Sequence, residues 1–222
     1  MKISFRRKTF LGMGVKDWIL FAVCVFFAFL CIFPLWLMLS NATRTTTQIQ
    51  QVGGLRALIP SRYFFSNIDA LLNQGFDIWG GVVNSFAIAV SSTLLCVYFS
   101  ALTAYGFVGY RFRFQKVLFS ILLATMLIPG QLGMIGWYQL VVDLRMYDTW
   151  VPLILPSVAS ATTVFFLKQY LEATYSKDLV DAARIDGSRE FMTFNRIILP
   201  ISAPALATMA IFSFVYSWIN YL

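Results

Sequence analysis

Five long apolar runs separated by polar connections organise this chain of 222 residues: positions 18–40, 81–107, 117–140, 150–167 and 201–222. A helix needs about 20 predominantly apolar residues to cross the hydrocarbon core of a bilayer, and each run is of that order. No Asp, Glu, Lys or Arg falls inside a run except at its edges. The Ser, Thr, Asn and Gln side chains within the runs are groups that a helix bundle satisfies internally. The runs are continuous rather than alternating with period two, so they predict helices and exclude the strands of a membrane barrel. Trp18, Trp79, Trp137, Trp150 and Trp218 stand at or near run ends, where an interfacial aromatic belt belongs. The expected fold is all-α, a polytopic transmembrane helix bundle over residues 18–222 behind an N-terminal arm over 1–17.

Composition sharpens this picture. Hydrophobic residues make up 59% of the chain and charged residues 12%, with a mean hydropathy of +0.73, whereas soluble domains carry about 25% charged residues. Histidine is absent, and the three cysteines, Cys24, Cys31 and Cys96, lie inside apolar runs. Histidine triads, His/Cys zinc sites, haem ligation by histidine and a disulfide framework are thereby excluded. Neither a catalytic residue nor a metal ligand is expected, and ATP has no site here because the chain lacks a Gly-x-x-x-x-Gly-Lys-Ser/Thr phosphate loop.

Charge gives an orientation. Lys2, Arg6, Arg7, Lys8 and Lys16 precede the first run, Arg111, Arg113 and Lys116 separate the second from the third, and Lys168, Lys177, Arg184, Arg189 and Arg196 separate the fourth from the fifth. Only Arg44, Arg56, Arg62 and Arg145 fall on the opposite side. Basic connections stay in the cytoplasm, which predicts a cytoplasmic N-terminus and a multi-pass membrane protein. The net charge of +7 then follows from topology and needs no nucleic-acid partner. The first run is retained rather than cleaved, since it exceeds the roughly 7–15 residues of a signal-peptide core. Leu222 closes the fifth run without a polar tail, so a sixth span is expected beyond it.

The outer connection, 41–80, is rich in Thr, Gln and Gly and then turns aromatic at Tyr63, Phe64 and Phe65. It reads either as a lid or docking surface, or as a solvated loop with a short interfacial helix near 66–73. Pro34, Pro129, Pro152, Pro156 and Pro204 interrupt the runs. Proline removes an i→i−4 hydrogen bond, and Ile128-Pro129-Gly130-Gln131 in the third run predicts either a packing kink or a discontinuous helix that offers backbone groups to a substrate.

The connection 168–199 is the most structured. Ser176 offers an N-cap hydroxyl with Asp178 in the first turn, and Leu179, Ala182, Ala183 and Ile185 continue a short helix. Gly187 stands where a helix C-cap needs a left-handed residue. Ser188 is placed to cap a second helix with Glu190 near its start, and Pro200 opens the next span. The mixed charges of Asp178, Asp181, Arg184, Asp186, Arg189 and Glu190 suit a protein partner better than anionic lipid.

Asp181-Ala182-Ala183, three residues, Gly187, nine residues and then Ile197-Ile198-Leu199-Pro200 resemble the EAA loop of ABC importer permeases. Asp181 stands in place of the usual Glu, which keeps the charge and shortens the reach. The continuation through Arg184, Ile185 and Asp186 resembles the carbohydrate-uptake branch, of the maltose-type second permease subunit. The likeness covers the chain in span order. It implies a type I importer permease of six core spans that forms half of a translocation path for a sugar or oligosaccharide. It implies a second permease subunit as heterodimer partner, two copies of a cytoplasmic ABC ATPase carrying the ATP and Mg, and an extracytoplasmic solute-binding protein. Asp181, Ala182, Ala183, Gly187, Ile197, Leu199 and Pro200 would form the ATPase-coupling site. A non-sugar polar cargo such as a phosphorylated polyol, or a passive channel, is the alternative. Asn84, Gln131, Trp137, Tyr138, Tyr216, Trp218 and Asn220 are candidates to line the substrate path, with interhelical bonding and interfacial anchoring as their plainer roles.

Overall fold

The computed structural model describes residues 14–51, 58–73, 75, 77–158 and 160–219. Among these residues the regular structure is helical, with no strand. The chain divides into two compact units, Met1–Ile78 and Trp79–Leu222.

In the first unit α1 (Val15–Ala42) runs 28 residues, a length of about 42 Å at 1.5 Å per residue. Asp17 in its first turn accepts the Gly14 backbone N–H at 3.2 Å, which closes the helix start. Pro34 is accommodated without a break, and Ser40 is the buried residue of the helix. Beyond it come α2 (Thr46–Gln51) and α3 (Phe64–Leu72), and Asn67 of α3 reaches back to the Ala42 carbonyl at the end of α1 at 2.8 Å.

All but the first residue of α4 (Ile78–Gly109), 32 residues long, belongs to the second unit. The third apolar run is not one straight helix. It is α5 (Gln115–Thr125), a 3-10 turn over Gly130–Gly133 and α6 (Met134–Asp143), with the two halves bent by 88°. Pro129 explains the break, because it has no N–H to return to Thr125, whose carbonyl takes the Ile128 N–H instead at 3.3 Å. Of the two expectations for this proline, the discontinuous helix is the one observed.

The fourth run opens with α7 (Val151–Ile154) and a 3-10 turn over Leu155–Val158, and then α8 (Ala161–Thr174) continues past Leu167. Ser160 caps α8 by accepting the Thr163 N–H at 3.2 Å. After α9 (Lys177–Ile185) and α10 (Glu190–Thr193) come a π turn over Phe194–Ile198, α11 (Leu199–Ile201) and α12 (Ala203–Trp218). The fifth run is bent as well: α12 stands at 81° to the preceding stretch Glu190–Ile201. Pro204 forbids a continuous helix there, and the buried Ser202 hydroxyl takes up the Ile198 carbonyl at 2.8 Å. Among the described residues three helices are long and apolar enough to cross a membrane, or up to five if each bent pair is one span.

The core gathers one to three residues from each surrounding element: Ala101, Ala104 and Tyr105 of α4, Leu167 and Leu171 of α8, Val180 of α9, Phe194 and Ile198 of the π turn, and Ala205 and Met209 of α12. Alanines on α4 and α12 permit close helix approach, as small residues do in membrane bundles. A polar seam continues the α4–α8 contact, where Cys96 Sγ meets Thr163 Oγ1 at 3.7 Å and Ser157 Oγ donates to the Ser92 carbonyl at 3.4 Å.

Candidate functional site

The helix–glycine–helix element of residues 176–201 is assembled from local rules. Ser176 occupies the N-cap position of α9 in an extended conformation, but its side chain makes no capping bond. The helix end is a full Schellman motif. The Gly187 N–H donates to the Arg184 carbonyl at 3.0 Å and the Ser188 N–H to the Ala183 carbonyl at 2.9 Å, while Gly187 takes φ +82°. That left-handed value is open to glycine at no steric cost and expensive for other residues. The N-cap of α10 is Arg189, not Ser188. Ser188 instead accepts the Thr193 hydroxyl at 2.9 Å, one residue before the cap.

Two faces of α9 have opposite fates. Val180 and Ala183 are buried against the core. Leu179, Ala182 and Ile185, spaced three apart, are exposed, Ile185 at 86%. Asp178 lies on the same outward face at 100° per residue. Of the residues named from the motif, Ala182 and Gly187 face solvent, Asp181 is half-buried and Ala183 points inward. Ile197 and Leu199 are half-buried and Pro200 is exposed; the buried member of that stretch is Ile198.

A polar cluster joins this element to the end of α4. Arg184 Nε donates to Glu190 Oε1 at 2.8 Å, and its Nη1 to Asp181 Oδ1 at 3.2 Å, with Lys177 Nζ 3.9 Å from the other Asp181 oxygen. The second Glu190 oxygen accepts the phenol of Tyr110 and, at 3.4 Å, that of Tyr105. Arg184 and Tyr110 hold the Glu190 carboxyl below its ordinary value and so keep it ionised. Burial first, then the bond to Glu190, raises the Tyr110 phenol, which therefore stays a donor. Tyr105 stacks on Phe194 with ring centroids 5.8 Å apart. A Cβ on Gly109 would come within 2.8 Å of the Tyr105 ring, so the glycine one turn away leaves room for that ring. Tyr98 of α4 adds a further tie, donating to Asn195 Oδ1 at 3.2 Å. Tyr98, Tyr105, Tyr110, Glu190 and Phe194 were not singled out from the sequence as site residues. The bonds that join them across α4 and the 176–201 element link residues 80 to 97 positions apart, beyond the reach of any local spacing.

The candidate path residues scatter. Asn84, Gln131, Tyr138 and Tyr216 are exposed, Trp137 is half-buried, and Asn220 lies outside the described residues. An open cleft of about 180 Å³ is lined by Phe86, Phe214, Val215 and Trp218, with Phe214 stacked on Trp218 at 5.9 Å. Trp218 alone of the named path residues lines it. Among the described residues no group of three or more His, Cys, Asp or Glu side chains is placed to hold a metal.

Comparison with known proteins places this geometry in context. The family model described as a binding-protein-dependent transport system inner membrane component matches residues 96–222. The chain is 31% identical over 217 residues to an arabinooligosaccharides transport system permease protein of Halalkalibacterium halodurans, covering 98% of this chain and 76% of that one. It is 32% identical over 200 residues to an sn-glycerol-3-phosphate transport system permease protein of Yersinia enterocolitica, covering 87% and 69%. A solved bacterial ABC transporter involved in the import of the acidic polysaccharide alginate contains a chain of similar fold, with a TM-score of 0.66, 22% identity, and coverage of 95% of this chain and 74% of that one.

Proposed function

We propose how this chain works from one premise: it belongs to the family of binding-protein-dependent transport system inner membrane components. It is a membrane permease subunit of an ATP-binding cassette importer, and it is not itself an enzyme. Its assembly partners in this reading are a second permease subunit, two copies of a cytoplasmic ATPase that carry the ATP and Mg, and an extracytoplasmic solute-binding protein. The chain itself holds no cofactor. The N-terminus lies in the cytoplasm, an orientation supported by the basic residues that crowd alternate connections of the chain.

The observation that carries the coupling reading is the two-faced α9. Its outward residues Leu179, Ala182 and Ile185 form the ATPase contact, and the small Ala182 permits close approach. Its inward residue Val180 shares a core with α4, α8 and α12. A rigid-body shift of the ATPase pushes α9 against that core rather than against solvent. Close-packed interiors transmit such displacement instead of absorbing it. Glu190 ties the same element to Tyr105 and Tyr110, so α4 moves with it. Asp181 is engaged by Arg184 and Lys177 and shapes the flank of the docking helix.

The cargo in this reading is a sugar or oligosaccharide. Support comes from the arabinooligosaccharide permease relative and from the aromatic cleft of Phe86, Phe214 and Trp218, whose ring faces suit the apolar faces of sugar rings. The sn-glycerol-3-phosphate relative makes a phosphorylated polyol the second reading. A phosphate needs a cation to receive it; Lys168 of α8 is already paired with Glu172 at 2.6 Å and seated 4.4 Å over the Phe119 ring, while Lys16 and Lys116 stand in the first turns of α1 and α5, at the helix ends.

Purification of the chain from its native membrane in mild detergent, followed by reconstitution into vesicles, tests both levels. An ATPase, a second multi-span subunit and a binding protein are expected to co-purify, and ATP-dependent uptake of labelled arabinooligosaccharide is expected to be indifferent to excess sn-glycerol 3-phosphate. Uptake of sn-glycerol 3-phosphate instead would overturn the cargo. Solitary purification, or flux unchanged by Gly187→Trp, would overturn the coupling.

A further inference from the structure

We infer that α3 is a membrane-surface helix, lying in the lipid headgroup region at the face of the bilayer where α1 ends. At 100° per residue, Phe64, Phe65, Ile68, Leu71 and Leu72 occupy one arc of about 120°, and Ser66, Asn67 and Asp69 occupy the other side. All five apolar side chains are exposed, Phe65 at 79%, and α3 has no buried residue. A helix of this pattern lies in the interface plane when its polar face meets water and its apolar face meets acyl chains.

What commits the occupant to lipid is where the helix is held. Its start is hydrogen-bonded to the last turn of α1 and the residues just after it. The Tyr63 N–H donates to the Thr43 carbonyl at 3.0 Å and the Ser61 N–H to Thr43 Oγ1 at 2.6 Å. Asn67 Nδ2, on the polar side of α3, donates to the carbonyls of Ala42 and Arg44 at 2.8 Å each. Arg44 Nη2 donates to the Ile59 carbonyl at 2.7 Å, and Trp36 Nε1 to that of Leu58 at 2.9 Å. The apolar run of α1 ends at Leu39, so Ala42 stands only about 4.5 Å farther along the axis at 1.5 Å per residue. The bonds made by Asn67 therefore hold α3 at the depth where hydrocarbon gives way to headgroups. Exposed Arg62 immediately before the helix stands at the level of lipid phosphates.

The test uses the whole importer, assembled with its partner subunits in lipid nanodiscs and active in transport, with Cys24, Cys31 and Cys96 replaced by serine. Single cysteines at Phe65, Ile68, Leu72 and, as polar-face controls, Ser66 and Asp69 carry a nitroxide. Collision with oxygen, which concentrates in lipid, is compared with collision with a water-soluble nickel chelate. The oxygen-to-nickel ratio is expected to be several-fold higher at Phe65, Ile68 and Leu72 than at Ser66 and Asp69, and unchanged when the solute-binding protein is added. Equal ratios on the two faces would make α3 part of a solvated loop and overturn the inference. Protection of the apolar positions from both reagents would overturn it too. If that protection appeared only with the binding protein, it would make α3 a protein docking surface, and if it were constant it would place α3 under a neighbouring subunit. None of these outcomes bears on the cargo or on the coupling role of α9.

Discussion

Among the described residues stand two nine-residue amphipathic helices, α3 and α9, and they use the same pattern differently. The inward face of α9 is filled by protein: Val180 is fully buried in a core shared with three long helices. Nothing of α3 is buried; the bonds that Asn67 makes to the end of α1 hold it in place. On the coupling role proposed above, an amphipathic helix whose apolar face joins a packed core is suited to transmit motion, because packed side chains pass displacement on. It becomes a positional anchor when only its polar side is held.

The contrast breaks most severely at Phe194. Phe194→Ala removes a buried ring that stacks on Tyr105, and it is expected to cost about 3–5 kcal/mol in thermal unfolding of the detergent-solubilised protein. The matched Phe65→Ala on α3 is expected to stay within about 0.5 kcal/mol. Comparable losses at the two positions would mean that α3 is packed after all. Gly187→Val comes next, at about 1–2 kcal/mol for a left-handed β-branched residue, with Gly187→Asn expected to recover part of the melting temperature.

Glu190→Gln removes charge while keeping shape, and uptake per ATP hydrolysed is expected to drop several-fold while ATPase binding is kept. The pH behaviour follows from the directions of the shifts. The Glu190 carboxyl is held below its ordinary value, so its contribution is present above the usual carboxylate pKa of about 4.3 and fades only as pH falls through the lowered one. The Tyr110 phenol is raised, so its contribution is complete below the usual value of about 10 and fades as pH rises through the higher one. Wild-type coupling is therefore expected to be flat between about pH 6 and 8, and a slope across that window would remove Glu190 from the linkage. The smallest effect on the folded chain is expected from Ile185→Ser, within about 0.5 kcal/mol. The same substitution is expected to lower ATPase co-purification several-fold, which melting curves alone would miss.

Particular residues show what could be read without coordinates. Gly187 was legible because a helix with Asp178 in its first turn and Arg184 in its last needs a left-handed residue directly after it. Pro129 was legible as an interruption, but the 88° bend was not, since a proline alone does not say whether its helix kinks or stops. Ser188 was misplaced as a cap because Ser188 and Arg189 are both able to start α10, and the bond from Thr193 settled which one did. The inward turn of Ala183 was hidden within a motif whose two alanines look equivalent on paper.

By itself the sequence determined the apolar spans and the all-helical class, because bilayer thickness and backbone hydrogen bonding leave a 20-residue apolar run few alternatives, and it marked the helix–glycine–helix element around Gly187. Only the tertiary structure decided that Glu190 receives Tyr105, Tyr110 and Arg184 together, that Val180 rather than Ala182 faces the core, and that Asn67 reaches back to the end of α1. Those choices depend on where separate helices come to rest against one another, and contacts between residues tens of positions apart leave no periodic trace along the chain.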